Sequence, residues 1–241
     1  MEIFALAILT FFAGILGTIT GFGISTIMVP VVLFFLPFPE TLLLVGVIHW
    51  FGDIWKMYFF KHGFDAKLLL LFAIPGIIMA YVGARMVLTL PEVLLSRFVG
   101  LILLIYVVYL SFRPEFKLKP NFLTASLGGA GSGFLGGISG VGGGALRAVV
   151  LTAFNLPKSA YIFISGLTGF AIDASRIATY FLGGTRISPN LTSGLVVFIP
   201  ASFLGAYVAK RVVNKIPKRS FRTVIAVFLF LIGLKFLLLP G

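Results

Sequence analysis

The sequence predicts an all-α polytopic membrane protein built from two inverted repeats. Each repeat is a Gly-broken helix or hairpin plus three transmembrane helices, about ten elements in all. Three observations predict this: the apolar composition, a motif that occurs twice, and the distribution of Lys and Arg. Of 241 residues, 59% are hydrophobic and 11% charged, and mean hydropathy is +1.13. A soluble domain carries about 25% charged residues. So little polar surface cannot cover a water-facing exterior, so the solvent of this chain is lipid. At about 20 residues per crossing, the length suits roughly eight to ten spanning elements.

The motif that occurs twice decides the architecture. GILGTITGFG (14–23) aligns with GFLGGISGVG (133–142) at an offset of 119, and each glycine of the first block falls on a glycine of the second. The match continues in the same order. Pro39 corresponds to Pro157, Asp53-x-x-Lys56 to Asp173-x-x-Arg176, IPGIIMAYVGAR (74–85) to IPASFLGAYVAKR (199–211), and Pro91 to Pro217. Chance similarity between apolar stretches would not keep Gly, Pro and charge in register. The chain therefore divides into a first membrane repeat (1–112), a polar linker RPEFKLKPN (113–121) and a second membrane repeat (122–241).

Apolar stretches run 3–36, 41–60, 66–88 and 91–112, then 122–154, 159–182, 188–209 and 217–239. The first of each half is too long. Thirty-four residues of helix would span roughly 50 Å, against about 30 Å of hydrocarbon. Glycines sit in the middle of both long stretches and break a helix there. Each is therefore two shorter elements, either a hairpin or two spans.

The basic residues agree. If each long stretch crosses once, the Lys and Arg divide nearly evenly. If each counts as two elements, thirteen gather on one side (Lys56, Lys61, Lys67, Arg113, Lys117, Lys119, Lys158, Lys210, Arg211, Lys215, Lys218, Arg219 and Arg222). Six remain on the other (Arg85, Arg97, Arg147, Arg176, Arg186 and Lys235). That is the asymmetry of the positive-inside rule. Five elements per half is an odd number, so the second half enters upside down and both termini face away from the cytoplasm. The rule also explains the net charge of +12 better than nucleic-acid binding does, because the basic residues fill short breaks between apolar runs. The basic run 210–222 reads as topological, with anionic lipid contact as the alternative. The absence of Cys removes disulfides, thiol catalysis and Cys-ligated metals. Two His and seven acids are thin material for a metal site, and no cofactor is expected. The N-terminal run carries Glu2 instead of a basic n-region, so it reads as a retained membrane segment and not as a cleaved signal peptide.

Inverted repeats with broken helices bind substrate near the midplane at the repeat interface. The candidate substrate-binding residues are Thr20, Gly21, Gly23 and Ser25 at the first break and Ser139, Gly140, Gly142, Gly143, Gly144 and Arg147 at the second. A half-helix that starts after a break presents free N–H groups and the positive end of its dipole to an anion. The other reading of the glycines is close helix packing. Arg147 is the sharpest candidate. An Arg inside an apolar run is costly, it can grip an oxyanion bidentately, and its counterpart in the first half is Met28. The alternative is that it snorkels to the interface. Ser139 and Thr20 match across the halves and either offer hydroxyls to the site or satisfy backbone freed at the break.

Coupling or gating falls to His49, Asp53, Lys56, Asp173 and Arg176. Each Asp and its basic partner sit three residues apart and share one helix face, as a structural pair, a gate or a proton carrier. His49, one turn before Asp53, is either a proton relay or a packed core histidine.

GILGTITGFGISTIMVP and GGISGVGGGALRAVVLTAFNLP resemble the twin signatures of the sulfite exporter TauE/SafE family of membrane permeases, and the resemblance spans both halves. GFGIST here has fewer glycines than GVGGGA. The resemblance implies a secondary transporter that exports small sulfur-containing anions: sulfite, sulfoacetate, thiosulfate or related organosulfonates. The expected partners are a small anionic substrate and the lipid bilayer, with protons as a candidate coupling ion and no nucleic acid. The expected location is the cell membrane. A passive anion channel, or an uptake permease for another small organic anion, would share these features. An intramembrane protease reading of Gly137-Ile138-Ser139-Gly140 lacks a suitably placed histidine, since His49 and His62 both precede Ser139. No enzyme is expected.

Overall fold

The computed structural model describes residues 2–20, 23–60, 66–112, 119–212 and 218–239. Within them the chain forms ten helices. The first five are α1 (Glu2–Thr20), α2 (Ser25–Val32), α3 (Phe38–Phe59), α4 (Ala66–Val87) and α5 (Glu92–Phe112). The second five are α6 (Phe122–Ser139), α7 (Gly142–Ala153), α8 (Lys158–Leu182), α9 (Pro189–Val212) and α10 (Lys218–Leu238). Short and long helices recur in the same order in both sets. α3, α4 and α9 are each long and apolar enough to cross a membrane. Large apolar side chains such as Leu70, Ile78 and Tyr81 on α4 and Leu101, Ile105 and Val108 on α5 stand exposed on the outside, as lipid-facing surfaces do.

Both long apolar stretches are hairpins. In the second, Gly140 ends α6 in the left-handed region at φ +67, its N–H bonded to the Gly136 carbonyl. α7 starts two residues later and runs back along α6. A β-carbon at Gly128 would meet Val150, one at Gly131 would meet Leu146, and one at Gly143 would strike the Ser132 carbonyl. Ser132 Oγ donates to the Gly143 carbonyl at 2.8 Å. The first stretch folds alike. Gly23 has φ +88, Thr10 Oγ1 donates to Met28 Sδ at 3.5 Å, and Gly17 packs on Gly23 and Ile24. The returning arms are short. Eight residues in α2 and twelve in α7 reach about 12 and 18 Å, well under the roughly 30 Å of hydrocarbon. Of the two options left by the sequence, hairpin and two spans, the hairpin is formed.

The directions of the packed helices establish the inversion. α3 lies against α8 with Gly46 beside Arg176 and Ile177, Trp50 stacked on Phe170, and Gly166 beside Asp53, Lys56 and Met57. Rising numbers on one helix meet falling numbers on the other, so the two run antiparallel. α5 and α10 do the same, with Gly100 against Phe236 and Leu237 and Gly233 against Leu103 and Leu104. These are the equivalent helices of the two sets. A two-fold axis along the helices would leave them parallel, so the axis that relates them crosses the helices. α6 packs along α4 and α1 along α9, which are again equivalent pairs. The α4–α6 seam is close enough that a β-carbon at Gly129, Gly133 or Gly137 would strike the carbonyl of Phe72, Gly76 or Ala80. Glu92 accepts from the Phe38 N–H at 3.3 Å and Glu40 from the Ser188 N–H at 2.9 Å. The first bond lies within the first half and the second joins the two halves, both at the end where α3, α5 and α9 begin.

Linker residues 113–118 lie outside the described residues, as do Gly21, Lys61, His62 and 213–217 of the basic run.

Candidate functional site

The centre of the bundle is charged. α3 contributes His49, Asp53 and Lys56, spaced so that all three share one face. α8 contributes Asp173 and Arg176. α7 adds Arg147. All six side chains are buried. The antiparallel α3–α8 crossing sets their meeting, since it brings His49 level with Asp173.

Lys56 Nζ lies 2.6 Å from Asp53 Oδ1, and Arg176 Nε 2.7 Å from Asp173 Oδ1. These are the two local pairs expected from spacing. His49 links them. Its Nδ1 lies 2.8 Å from Asp173 Oδ2 and its Nε2 3.6 Å from Asp53 Oδ1. The shorter approach is off the line of a hydrogen bond, so Asp173 Oδ2 has no hydrogen-bond partner. Ser25 Oγ, in the first turn of α2, also approaches His49 Nδ1 at 3.4 Å. The His49 ring fills the notch left by Gly23, where a β-carbon would overlap Nε2.

Arg147 does not snorkel. It is 2% exposed, and its Nε donates to Ser165 Oγ on α8 at 3.2 Å. Its Nη2 has no hydrogen-bond partner, and neither does Asp53 Oδ2. Both border Gly169, where a β-carbon would lie 2.7 Å from Arg147 Nη2 and collide with Asp53 Oδ2. Arg176 Nη1 and Nη2 likewise make no hydrogen bond. Nη1 faces Gly140 at the second tip, 3.4 Å from where a β-carbon would stand. Tyr180, beside Arg176, donates its hydroxyl to the Gly137 carbonyl.

The cluster therefore holds three basic side chains (Lys56, Arg147 and Arg176) against two carboxylates (Asp53 and Asp173). Two cations are matched by short ion pairs and Arg147 is not. Buried charges in hydrocarbon are expensive unless matched. An anion at Arg147 would bring the count to zero. A cation fits less well. One ligand atom each from His49, Asp53 and Asp173 lie within 4.8 Å of one another, but one oxygen of each carboxylate is taken by Lys56 or Arg176. A metal ion there would also have three cationic side chains as neighbours.

The remaining expected residues divide by task. Ser139 Oγ donates to the Leu135 carbonyl at 2.6 Å and approaches the N–H groups of Val141 and Gly142 at 3.3 Å, so its hydroxyl closes the turn. Gly142 packs on Ile102 and Leu135, and Gly143 on α6, which is the close packing the glycines allowed for. Gly140 and Gly144 are buried at the tip. Thr20 ends α1. Thr26, not singled out from the sequence, reaches the Val141 carbonyl at 3.4 Å and joins the two tips. Ser165 and Gly169 were missed as well. Gly169 had a signal, because it occupies the place of His49 at the offset of 120 that relates Asp53 to Asp173.

The family model described as sulfite exporter TauE/SafE matches residues 6–236. No curated protein matches the chain.

Proposed function

Because the chain belongs to the sulfite exporter TauE/SafE family, whose members are membrane transporters of sulfur anions and not enzymes, we propose that it exports sulfite, sulfoacetate or a related organosulfonate. The substrate passes through the buried site between the hairpin tips and the α3–α8 crossing. The observation that carries this reading is the unmatched Arg147, whose Nη2 is buried without a partner. A fixed cation held in low dielectric offers a sulfonate or sulfite oxygen a charge-assisted bond. The hairpins enter from opposite faces, as alternating access around a fixed site requires.

The site works as a carrier in which the family of residues expected for binding and those expected for coupling act together. Arg147 binds the anion, and Gly169, by lacking a side chain, lets Arg147 and Asp53 approach each other beside it. Asp53, Asp173 and His49 set the charge that the anion meets. The location is the cell membrane with both termini extracytoplasmic. Charge supports that orientation. Lys56, Arg147 and Arg176 are buried and belong to neither surface. Removing them from the thirteen and the six leaves twelve against four, a stronger bias toward the side that carries 113–121.

The test is flux in proteoliposomes of labelled sulfite, sulfoacetate and sulfate, with and without a pH gradient, for wild type and Arg147→Ala. Saturable flux of a sulfur anion that the variant loses is the expected result. Flux that does not saturate and ignores the gradient would replace the carrier by a channel. Absence of flux in folded protein would overturn the substrate assignment.

A further inference from the structure

We propose that His49 matches the charge of the substrate, taking up one proton when a dianion binds and none when a monoanion binds. The inference rests on the anion reading of the site and adds its proton stoichiometry.

The charged side chains are all buried, so their charges have to balance among themselves and with the substrate. With His49 neutral, Lys56, Arg147 and Arg176 against Asp53 and Asp173 leave one positive charge. A monoanion brings the total to zero. A dianion would leave one negative charge in low dielectric, where an unmatched charge is expensive. One proton restores neutrality, and His49 is placed to hold it. It is the histidine among the described residues, and imidazole is the side chain whose ordinary titration spans neutral pH.

The groups that face it allow this. Nδ1 meets Asp173 Oδ2 at 2.8 Å and Nε2 meets Asp53 Oδ1 at 3.6 Å, so an imidazolium would have a carboxylate at each nitrogen, one from each half. Lys56 and Arg176 stand beyond those carboxylates and bind their Oδ1 atoms. Arg147, on α7, borders Asp53 across Gly169. α2 packs on α3 and carries no titratable side chain, only Ser25 near Nδ1. α1 and α9 hold their charges at their ends, at Glu2 and at Lys210 and Arg211. α5 meets α3 through Glu92 at Phe38, the far end from His49.

Linkage is reciprocal: if a dianion draws a proton to His49, a proton on His49 tightens the dianion. As pH rises and the imidazole loses its proton, affinity for a dianion therefore falls, while affinity for a monoanion stays level.

The experiment measures binding to purified wild-type protein in detergent between pH 5.5 and 8. The probes are thiosulfate, a dianion throughout, and methanesulfonate, a monoanion throughout. Sulfite is avoided because it changes its own protonation in this range. The expected result is a thiosulfate affinity that weakens up to about tenfold per pH unit above the imidazole titration and a methanesulfonate affinity that does not. Uptake of one proton per thiosulfate bound, read with a pH indicator in weak buffer, supports the same conclusion without any variant. In His49→Gln, the thiosulfate slope disappears whatever affinity remains. Equal slopes for the two anions, no proton uptake with thiosulfate, or a slope that survives in folded His49→Gln would overturn the proposal and leave the anion site standing. Failure of both anions to bind folded wild-type protein at any pH would overturn the anion reading, and this proposal with it.

Discussion

Arg147→Met separates stability from function at one atom group. Met is the residue at the equivalent place of the first half, Met28, which is itself fully buried. The substitution removes a guanidinium that is 2% exposed, makes one side-chain bond, to Ser165, and has no carboxylate within ion-pair distance among the described residues. Removing a buried ion that no short ion pair matches lifts a desolvation penalty on the order of a few kcal/mol. Loss of the Ser165 bond offsets about 1 kcal/mol of that. The variant should therefore melt at or above the wild-type temperature in detergent, by up to roughly 5–10 °C at about 2–4 °C per kcal/mol. Losing a buried charge-assisted contact to the anion costs about 2–5 kcal/mol, so affinity for a sulfur anion should fall thirtyfold or more. The assay is a melting curve read by fluorescence beside a binding titration on the same preparation. A variant that melts well below wild type would refute the reasoning, because it would mean that Arg147 neutralises a structural charge and does not await a ligand.

Three further substitutions test the surroundings. Gly169→Ala puts a β-carbon against Asp53 Oδ2 and 2.7 Å from Arg147 Nη2; overpacking costs about 1–3 kcal/mol, and transport should fall with the fold retained, measured by flux beside gel filtration. Arg176→Met strips Asp173 of its short ion pair and should destabilise by about 3–5 kcal/mol, with Asp173→Asn in the same chain restoring much of the melting temperature. Gly133→Leu meets the Gly76 backbone across the α4–α6 seam, where neither helix can yield, and should leave no monodisperse protein in detergent.

Much of the architecture was legible because its causes are local or repeated. Apolar composition names the solvent, glycine clusters name the breaks, and the two Asp-based pairs follow from i, i+3 spacing on one helix face. The role of Ser139 in closing the turn belongs to the same class, because its partners Leu135, Val141 and Gly142 are sequence neighbours. Gly169 carried only an indirect signal, as the repeat counterpart of His49; its part in the site was not legible, because that part is the absence of a side chain beside Asp53 and Arg147.

From sequence alone came the membrane environment, the duplication, its inversion through an odd number of elements, and the list of charges that an apolar chain retains at a cost. Only the tertiary structure decided that the long stretches are hairpins with short returning arms, and that His49 of one half reaches Asp173 of the other. Periodicity and spacing report which face of a helix a residue occupies. They carry no information on which distant face it meets, because that depends on the antiparallel crossing of α3 and α8. The crossing in turn depends on the close backbone contacts that pack each half against the other.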